Sequence, residues 1–200
     1  MAAKTPARVS ARERLLMAAD ELFYSEGVQT VGIDRVIEHA GVAKASLYNS
    51  FGSKEGLVRA YLELRFERRK DHITRTLTRF RTPREQMLGV FDALGEAFTE
   101  PGYNGCSFAR ATSEAADDSA ARKVADDYRA WLRGLFTELA AAAGYADPDT
   151  IARQFLLLYD GAGQSAKMDR DPSAATSARA AAAILLDASP LVSAVPDPTQ

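Results

Sequence analysis

No stretch of this 200-residue chain keeps a strict apolar–polar alternation, whereas helix starts and stops recur along it in legible form. That punctuation, with 37 alanines supplying the best helix former, predicts an all-α fold of about nine helices. Ser10-Ala-Arg-Glu13 has capping-box spacing, in which hydroxyl and carboxylate satisfy free N–H groups at a helix start. Leu15, Ala18, Ala19, Leu22 and Phe23 then repeat at three and four residues up to Gly27, an expected left-handed stop. Ile33, Val36, Ile37 and Ala40 mark a short second helix ending at Gly41, and Ala45, Leu47, Tyr48 and Phe51 a third ending at Gly52. Ser53 is placed to cap a fourth, with Leu57, Tyr61 and Leu64 on one face and the charges of Arg65–Asp71 read as solvated.

Thr82-Pro83-Arg84-Glu85 combines a Thr cap, a first-turn proline and a reciprocal glutamate, and marks the break before a fifth helix lined by Met87, Phe91, Leu94 and Phe98. Pro101–Gly105 interrupts the chain. A short helix through Cys106–Ala116 and a long one carrying Val124, Tyr128, Trp131, Leu135 and Leu139 follow. Asp147-Pro148 and Asp171-Pro172 each set an acid before a proline and predict helices over about 148–167 and 172–188. The resulting organisation is a flexible arm at 1–9, a helix-turn-helix unit at 10–52, a linking helix at 53–81, a helical bundle at 82–189 and a disordered tail at 190–200.

The net charge of −2 argues at first against a nucleic-acid partner, but it averages two unlike parts. Residues 1–81 hold 15 Lys+Arg against 10 Asp+Glu, net +5; residues 82–200 hold 10 against 17, net −7. A basic head on an acidic body suggests that the head meets an anion. One cysteine, Cys106, excludes an internal disulfide framework and a Cys-rich zinc site. It is read as a small buried hydrophobe, with a thiol activated at a helix start as the alternative. His39 and His72 have no clustered partners in sequence and are read as surface residues, so no metal or cofactor is expected. No apolar run approaches the length needed to span a bilayer and no secretory h-region opens the chain, so a cytoplasmic protein without membrane association is expected. No nucleophile–base pair is apparent, and no enzyme activity is expected.

Within the basic head, two helices of about eight residues flank a turn at Gly41 and Val42. Gly41 provides the backbone freedom of a tight turn, Ala40 permits close approach, and Val42, Leu47 and Phe51 would pin the second helix to the first. Small, polar and basic groups then remain on the outer face, as suits a helix entering the major groove. Lys44 could donate to guanine O6/N7 or to a phosphate, Asn49 could address adenine, and Ala45 could touch a thymine methyl. The Tyr48 hydroxyl and the N–H groups near Ser53 and Lys54 suit phosphate oxygens.

The run Ala40-Gly41-Val42-Ala43-Lys44-Ala45-Ser46-Leu47-Tyr48-Asn49-Ser50-Phe51, followed by Ser53-Lys54-Glu55-Gly56-Leu57, resembles the signature of the tetracycline-repressor (TetR) family of bacterial transcription regulators. The likeness is specific over about residues 11–65 and architectural beyond them. It implies that Lys44, Ala45, Ser46 and Asn49 face bases while Tyr48 and Lys54 contact phosphates. Two positions depart from the family pattern. Ala43 and Gly32 stand where Ser or Thr is usual, removing hydroxyls that would cap a helix or hold a phosphate, with Arg35 and Thr30 as substitutes.

The resemblance further implies an effector pocket in the C-terminal bundle and a dimer built by its last two helices. Candidate pocket residues are Phe91, Phe98, Phe108, Tyr128, Trp131, Phe155 and Tyr159; candidate interface residues are Phe155, Tyr159, Ala162, Ala178, Ala182 and Leu185. The implied function is a ligand-responsive homodimeric repressor that binds a palindromic double-stranded DNA operator and is released by a small-molecule effector. The alternative is a helical small-molecule-binding protein without DNA binding, favoured only by the missing hydroxyls at positions 32 and 43.

Overall fold

The computed structural model of the protein describes residues 9–113 and 115–192. Among these are nine α-helices: α1 (Ala11–Glu26), α2 (Ile33–Ala40), α3 (Lys44–Phe51), α4 (Lys54–Leu77), α5 (Pro83–Phe98), α6 (Ser107–Thr112), α7 (Ala120–Ala142), α8 (Pro148–Asp169) and α9 (Ala174–Ala188). The expected arm at 1–9 lies outside the described residues except for Val9, and the expected tail from 193 onward lies outside them too.

The helix starts follow the sequence closely. Ser10 with Glu13 and Thr82 with Glu85 each form a complete capping box, Pro83 occupies the first turn of α5, and the Asp147 carboxylate accepts from the Thr150 N–H at 3.0 Å. Gly41 closes α2 at φ 60° and ψ 45°, a left-handed cap that glycine adopts without Cβ strain. Gly27 differs from expectation. At φ 102° and ψ 149° it lies outside the left-handed helical region, in extended backbone that still requires positive φ. Asp171 differs as well: its carboxylate accepts from the Ser173 N–H and hydroxyl, shaping a turn, and α9 starts only at Ala174.

The chain forms two compact units. Among the described residues, the first contains those up to Glu67 together with those between Ser107 and Asp126, and the second contains Arg68–Cys106 and those from Asp127 onward. This division differs from the sequence boundary at 82, because α6 and the first turns of α7 pack with the N-terminal helices. The Arg110 guanidinium donates to the Tyr24 carbonyl at the end of α1, and the Ala120 N–H donates to Glu55. Local periodicity carries no information about such tertiary choices.

In the first unit α1, α2 and α3 pack on one another around Leu15, Leu22, Phe23, Val31, Val36 and Leu47. The Phe23 ring meets Tyr61 edge-on at 5.6 Å, tying α1 to α4. In the second unit α5 packs on α8 and α9, which pack on each other. Phe91, Phe136 and Phe155 form its aromatic centre, with ring centroids 5.2–6.4 Å apart. Residues 190–192 are fixed to the turn after α7: the Ala146 N–H donates to Pro190, the Val192 N–H donates to Gly144, and Tyr145 bridges to Leu191. The expected disordered tail therefore does not begin at 190. Cys106 is exposed, correcting its reading as a buried hydrophobe.

Candidate nucleic-acid interface

The α2–turn–α3 pair presents its short second helix outward by burying few residues. Leu47 is fully buried beneath α3, Val42 and Phe51 are half-buried at its ends, and Arg12 stacks over the Phe51 ring at 5.0 Å. Lys44, Ala45, Tyr48 and Asn49 are exposed, Ser46 is half-buried, and Tyr48 retains 44% of its surface. The first helical turns of α2 and α3 are preceded by Gly32 and Ala43, neither of which makes a side-chain cap. Their leading N–H groups are thus left without a hydroxyl partner and point along the positive ends of two helices, an arrangement suited to anions.

Three candidate contacts carry partners or constraints of their own. Lys44 Nζ donates to Asp34 Oδ1 at 2.9 Å, and this pairing holds its ammonium above the ordinary lysine range. Arg35 forks onto Glu26, with Nη2 donating to Oε1 at 2.7 Å, so it is an engaged side chain while Thr30 is exposed. Lys54 opens α4 half-buried, and burial pulls its ammonium below the usual range. Beside it the Ser53 hydroxyl accepts from the Gly56 N–H at 3.0 Å, capping α4 as expected.

Two residues outside the expected contact set complete this geometry. A Cβ at Gly56 would lie 2.0 Å from the Phe51 carbonyl oxygen, so the junction of α3 and α4 closes only because position 56 has no side chain. Glu55 holds the start of α7 through the Ala120 N–H at 3.0 Å. Glycine and glutamate at these positions are visible in the sequence, but their partners are set by packing.

The candidate effector residues separate into groups. Tyr128 and Tyr159 share a buried hydroxyl–hydroxyl hydrogen bond of 3.1 Å, with Trp131 half-buried near the Tyr128 ring. Phe91 and Phe155 belong to the close-packed aromatic centre, the Phe98 ring meets Tyr103 at a tilt of 51°, and Phe108 lies in the first unit. Of the candidate interface residues, Phe155, Tyr159, Ala162, Ala178 and Ala182 are buried within the protomer and pack its core; Leu185 is half-buried. The exposed apolar groups of α8 and α9 are instead Leu157, Met168 and Ile184. Phe155, Tyr159 and Ala182 thus occupy inward faces of α8 and α9, because apolar periodicity marks the face that is buried first, whereas Ala162 and Ala178 also line a groove beside Leu157.

No group of three or more metal-ligating side chains occurs among the described residues, and no helix among them is long and apolar enough to cross a membrane.

An exposed reading helix behind a glycine turn, with an all-α second unit, defines a helix-turn-helix protein of two units. The profile described as "Bacterial regulatory proteins, tetR family" matches residues 15–61. A putative TetR-type transcriptional regulator from Streptomyces avermitilis is 34% identical, with 87% of this chain and 98% of that one covered at a TM-score of 0.74. A TetR-family transcriptional regulator from Streptomyces coelicolor superposes at a TM-score of 0.83 with 29% identity, covering 88% of this chain and 94% of that one. The chain belongs to the TetR family of bacterial regulatory proteins. Among curated relatives, the transcriptional repressor KstR2 of Mycobacterium tuberculosis is 33% identical over 92 residues, 44% of each chain. The transcriptional activator FasR of Mycolicibacterium smegmatis is 42% identical over 52 residues, 26% of this chain and 24% of that one. The matched stretches therefore span less than half the length of these curated relatives.

Proposed function

We propose that the protein is a ligand-responsive transcription repressor that binds a palindromic DNA operator as a homodimer. The observation that carries this reading is the outward face of α3, where Lys44, Ala45, Tyr48 and Asn49 are exposed while Leu47 anchors the helix from behind. On this reading Lys44, Ala45, Ser46 and Asn49 meet base edges, and Tyr48, Lys54 and the leading N–H groups of α2 and α3 meet phosphates. Thr30, which is exposed, and Arg35, which pairs with Glu26, complete the proposed contact set. The net charge of +5 over residues 1–81 supports a polyanionic partner.

One reading helix contacts too few bases for useful specificity, and a two-fold pair reads two half-sites. The exposed apolar face of α8 and α9 supports pairing there. An effector in the second unit would act through its different affinity for two separations of the recognition helices. The KstR2 relatives support the sign of regulation, since they are named repressors. Selection of bound sequences from random double-stranded DNA, followed by gel shifts over a salt series, tests the proposal. A two-fold symmetric consensus with a steep loss of affinity as salt rises is the expected result. No enrichment over the starting pool would favour the small-molecule-binding alternative.

A further inference from the structure

Two arginines interrupt the buried row of α4. Leu57, Tyr61, Ile73 and Leu77 are spaced by multiples of four and are buried, and Arg65 and Arg69 occupy the two positions between Tyr61 and Ile73. The two are treated differently. Arg65 pairs with Asp20 and lies 3.8 Å over the Tyr24 ring. Arg69 keeps partial exposure as a residue, but its Nη1 is sealed from solvent and makes no hydrogen bond.

The groups that act most strongly on the Arg69 cation are Tyr159, Tyr128, Cys106 and Tyr103, all in the second unit and none of them a carboxylate. Burial works against this charge, yet arginine is basic enough that the guanidinium remains protonated. Burial likewise raises Tyr128 and Tyr159 above the usual tyrosine range, which keeps both phenols neutral. An enclosed guanidinium N–H without an acceptor costs folding free energy, and an apolar residue of similar volume would avoid that cost. Tyr103 also forms part of the wall of a cavity of about 350 Å³, with Phe98, Ala166 and Pro172 and the charged Glu100, Lys167 and Arg170.

We propose that the second unit binds a small organic carboxylate whose acid group pairs with Arg69 beside the Tyr128–Tyr159 hydroxyl pair. The planar guanidinium fork matches a carboxylate, which can accept two parallel hydrogen bonds from it. When Tyr128 donates to Tyr159, the Tyr159 proton is directed to a ligand oxygen. The aromatic surroundings favour an acid with an apolar body. This inference names the chemical class of the effector and rests on the ligand-responsive reading above.

The test uses the full chain and two acid–amide pairs, phenylacetate with phenylacetamide and decanoate with decanamide, followed by calorimetry and thermal unfolding. At least one acid binds and raises Tm, and its amide binds at least about tenfold more weakly, which corresponds to the loss of about 1.4 kcal/mol. Arg69→Met removes the preference for the acid, while Arg69→Lys, which keeps the charge without the fork, retains part of it. A cooperative unfolding transition and unchanged helical circular dichroism verify the fold of each variant. Equal binding of acid and amide, an undiminished preference in a folded Arg69→Met protein, or no binding of either acid would overturn the proposal. Operator gel shifts separate this from the wider reading. Binding through Arg69 without operator release leaves the carboxylate site standing and removes ligand control, whereas release by the amide alone keeps ligand control and removes the carboxylate site.

Discussion

The Glu55 carboxylate accepts a 3.0 Å hydrogen bond from the Ala120 backbone N–H, so a residue in the first turn of α4 caps the first turn of α7. Both residues lie in the first unit, 65 positions apart in sequence. The bond satisfies one of the N–H groups that a helix start leaves open, and it places negative charge at the positive end of α7. Glu55→Ala is expected to lower stability by about 1 kcal/mol, and Glu55→Gln by less, because the amide oxygen still accepts while the charge is lost. Urea denaturation gives these differences, and hydrogen exchange localises them through faster exchange at Ala120. Unchanged exchange there in the alanine variant would show that the bond contributes nothing.

Asp34 and Lys44 concern recognition. Their 2.9 Å pair joins α2 to the first residue of α3, and both side chains are mostly exposed, so the pair contributes little to stability. On the proposed reading it holds the lysine away from a base or phosphate and brings a like charge toward the duplex. Asp34→Asn is expected to tighten operator binding about two- to fivefold at moderate salt. Lys44→Ala is expected to weaken it and reduce the salt slope. A titration in which the asparagine variant binds more weakly would show that Asp34 holds Lys44 in its productive position.

Gly56 tests the junction that orients the reading helix. It faces a backbone carbonyl, and a Cβ would come within 2.0 Å of the Phe51 oxygen, a clash that no side-chain rotation relieves. Gly56→Ala is expected to cost about 2–3 kcal/mol of stability despite alanine's higher helix propensity. Thermal unfolding checks the sign, and a stabilised variant would exclude the close approach.

The all-α class, the helix starts at Ser10, Thr82 and Asp147, and the αL stop at Gly41 are legible in the sequence because caps and turns depend on neighbours within a few residues. The face of α3 is legible for the same reason, since an eight-residue helix between two glycines has one side to bury. Arg69 reads as solvated only because it stands in a charge-rich run. The four-residue row from Leu57 to Leu77 carries the opposite signal, since it places Arg65 and Arg69 on the apolar stripe. The grouping of Ser107–Asp126 with the N-terminal helices has no local signal, because it depends on Arg110 and Glu55 meeting backbone groups far away in sequence.

The proposed pairing face yields the last prediction. Leu157 on α8 and Ile184 on α9 are 72% and 70% exposed, and Leu157 borders a groove of about 450 Å³ lined with Gly161, Ala162, Ala178 and Ala181. A Cβ added at Gly161 meets nothing within 4 Å inside the protomer, so the groove floor is open to another chain. Large apolar groups beside small residues on adjacent helices allow close approach between copies, each Leu157 entering the other's groove about a two-fold axis. Leu157→Arg combined with Ile184→Arg places like charges at that axis without disturbing the core, since both side chains lie on the outer surface of the protomer. The double variant is expected to sediment as a monomer with its helical content intact. It should also bind the operator on the order of a hundredfold more weakly, because two half-sites no longer bind as one unit. A dimer that persists in sedimentation would place the interface elsewhere, and a monomer with undiminished operator affinity would mean that the half-sites are read independently.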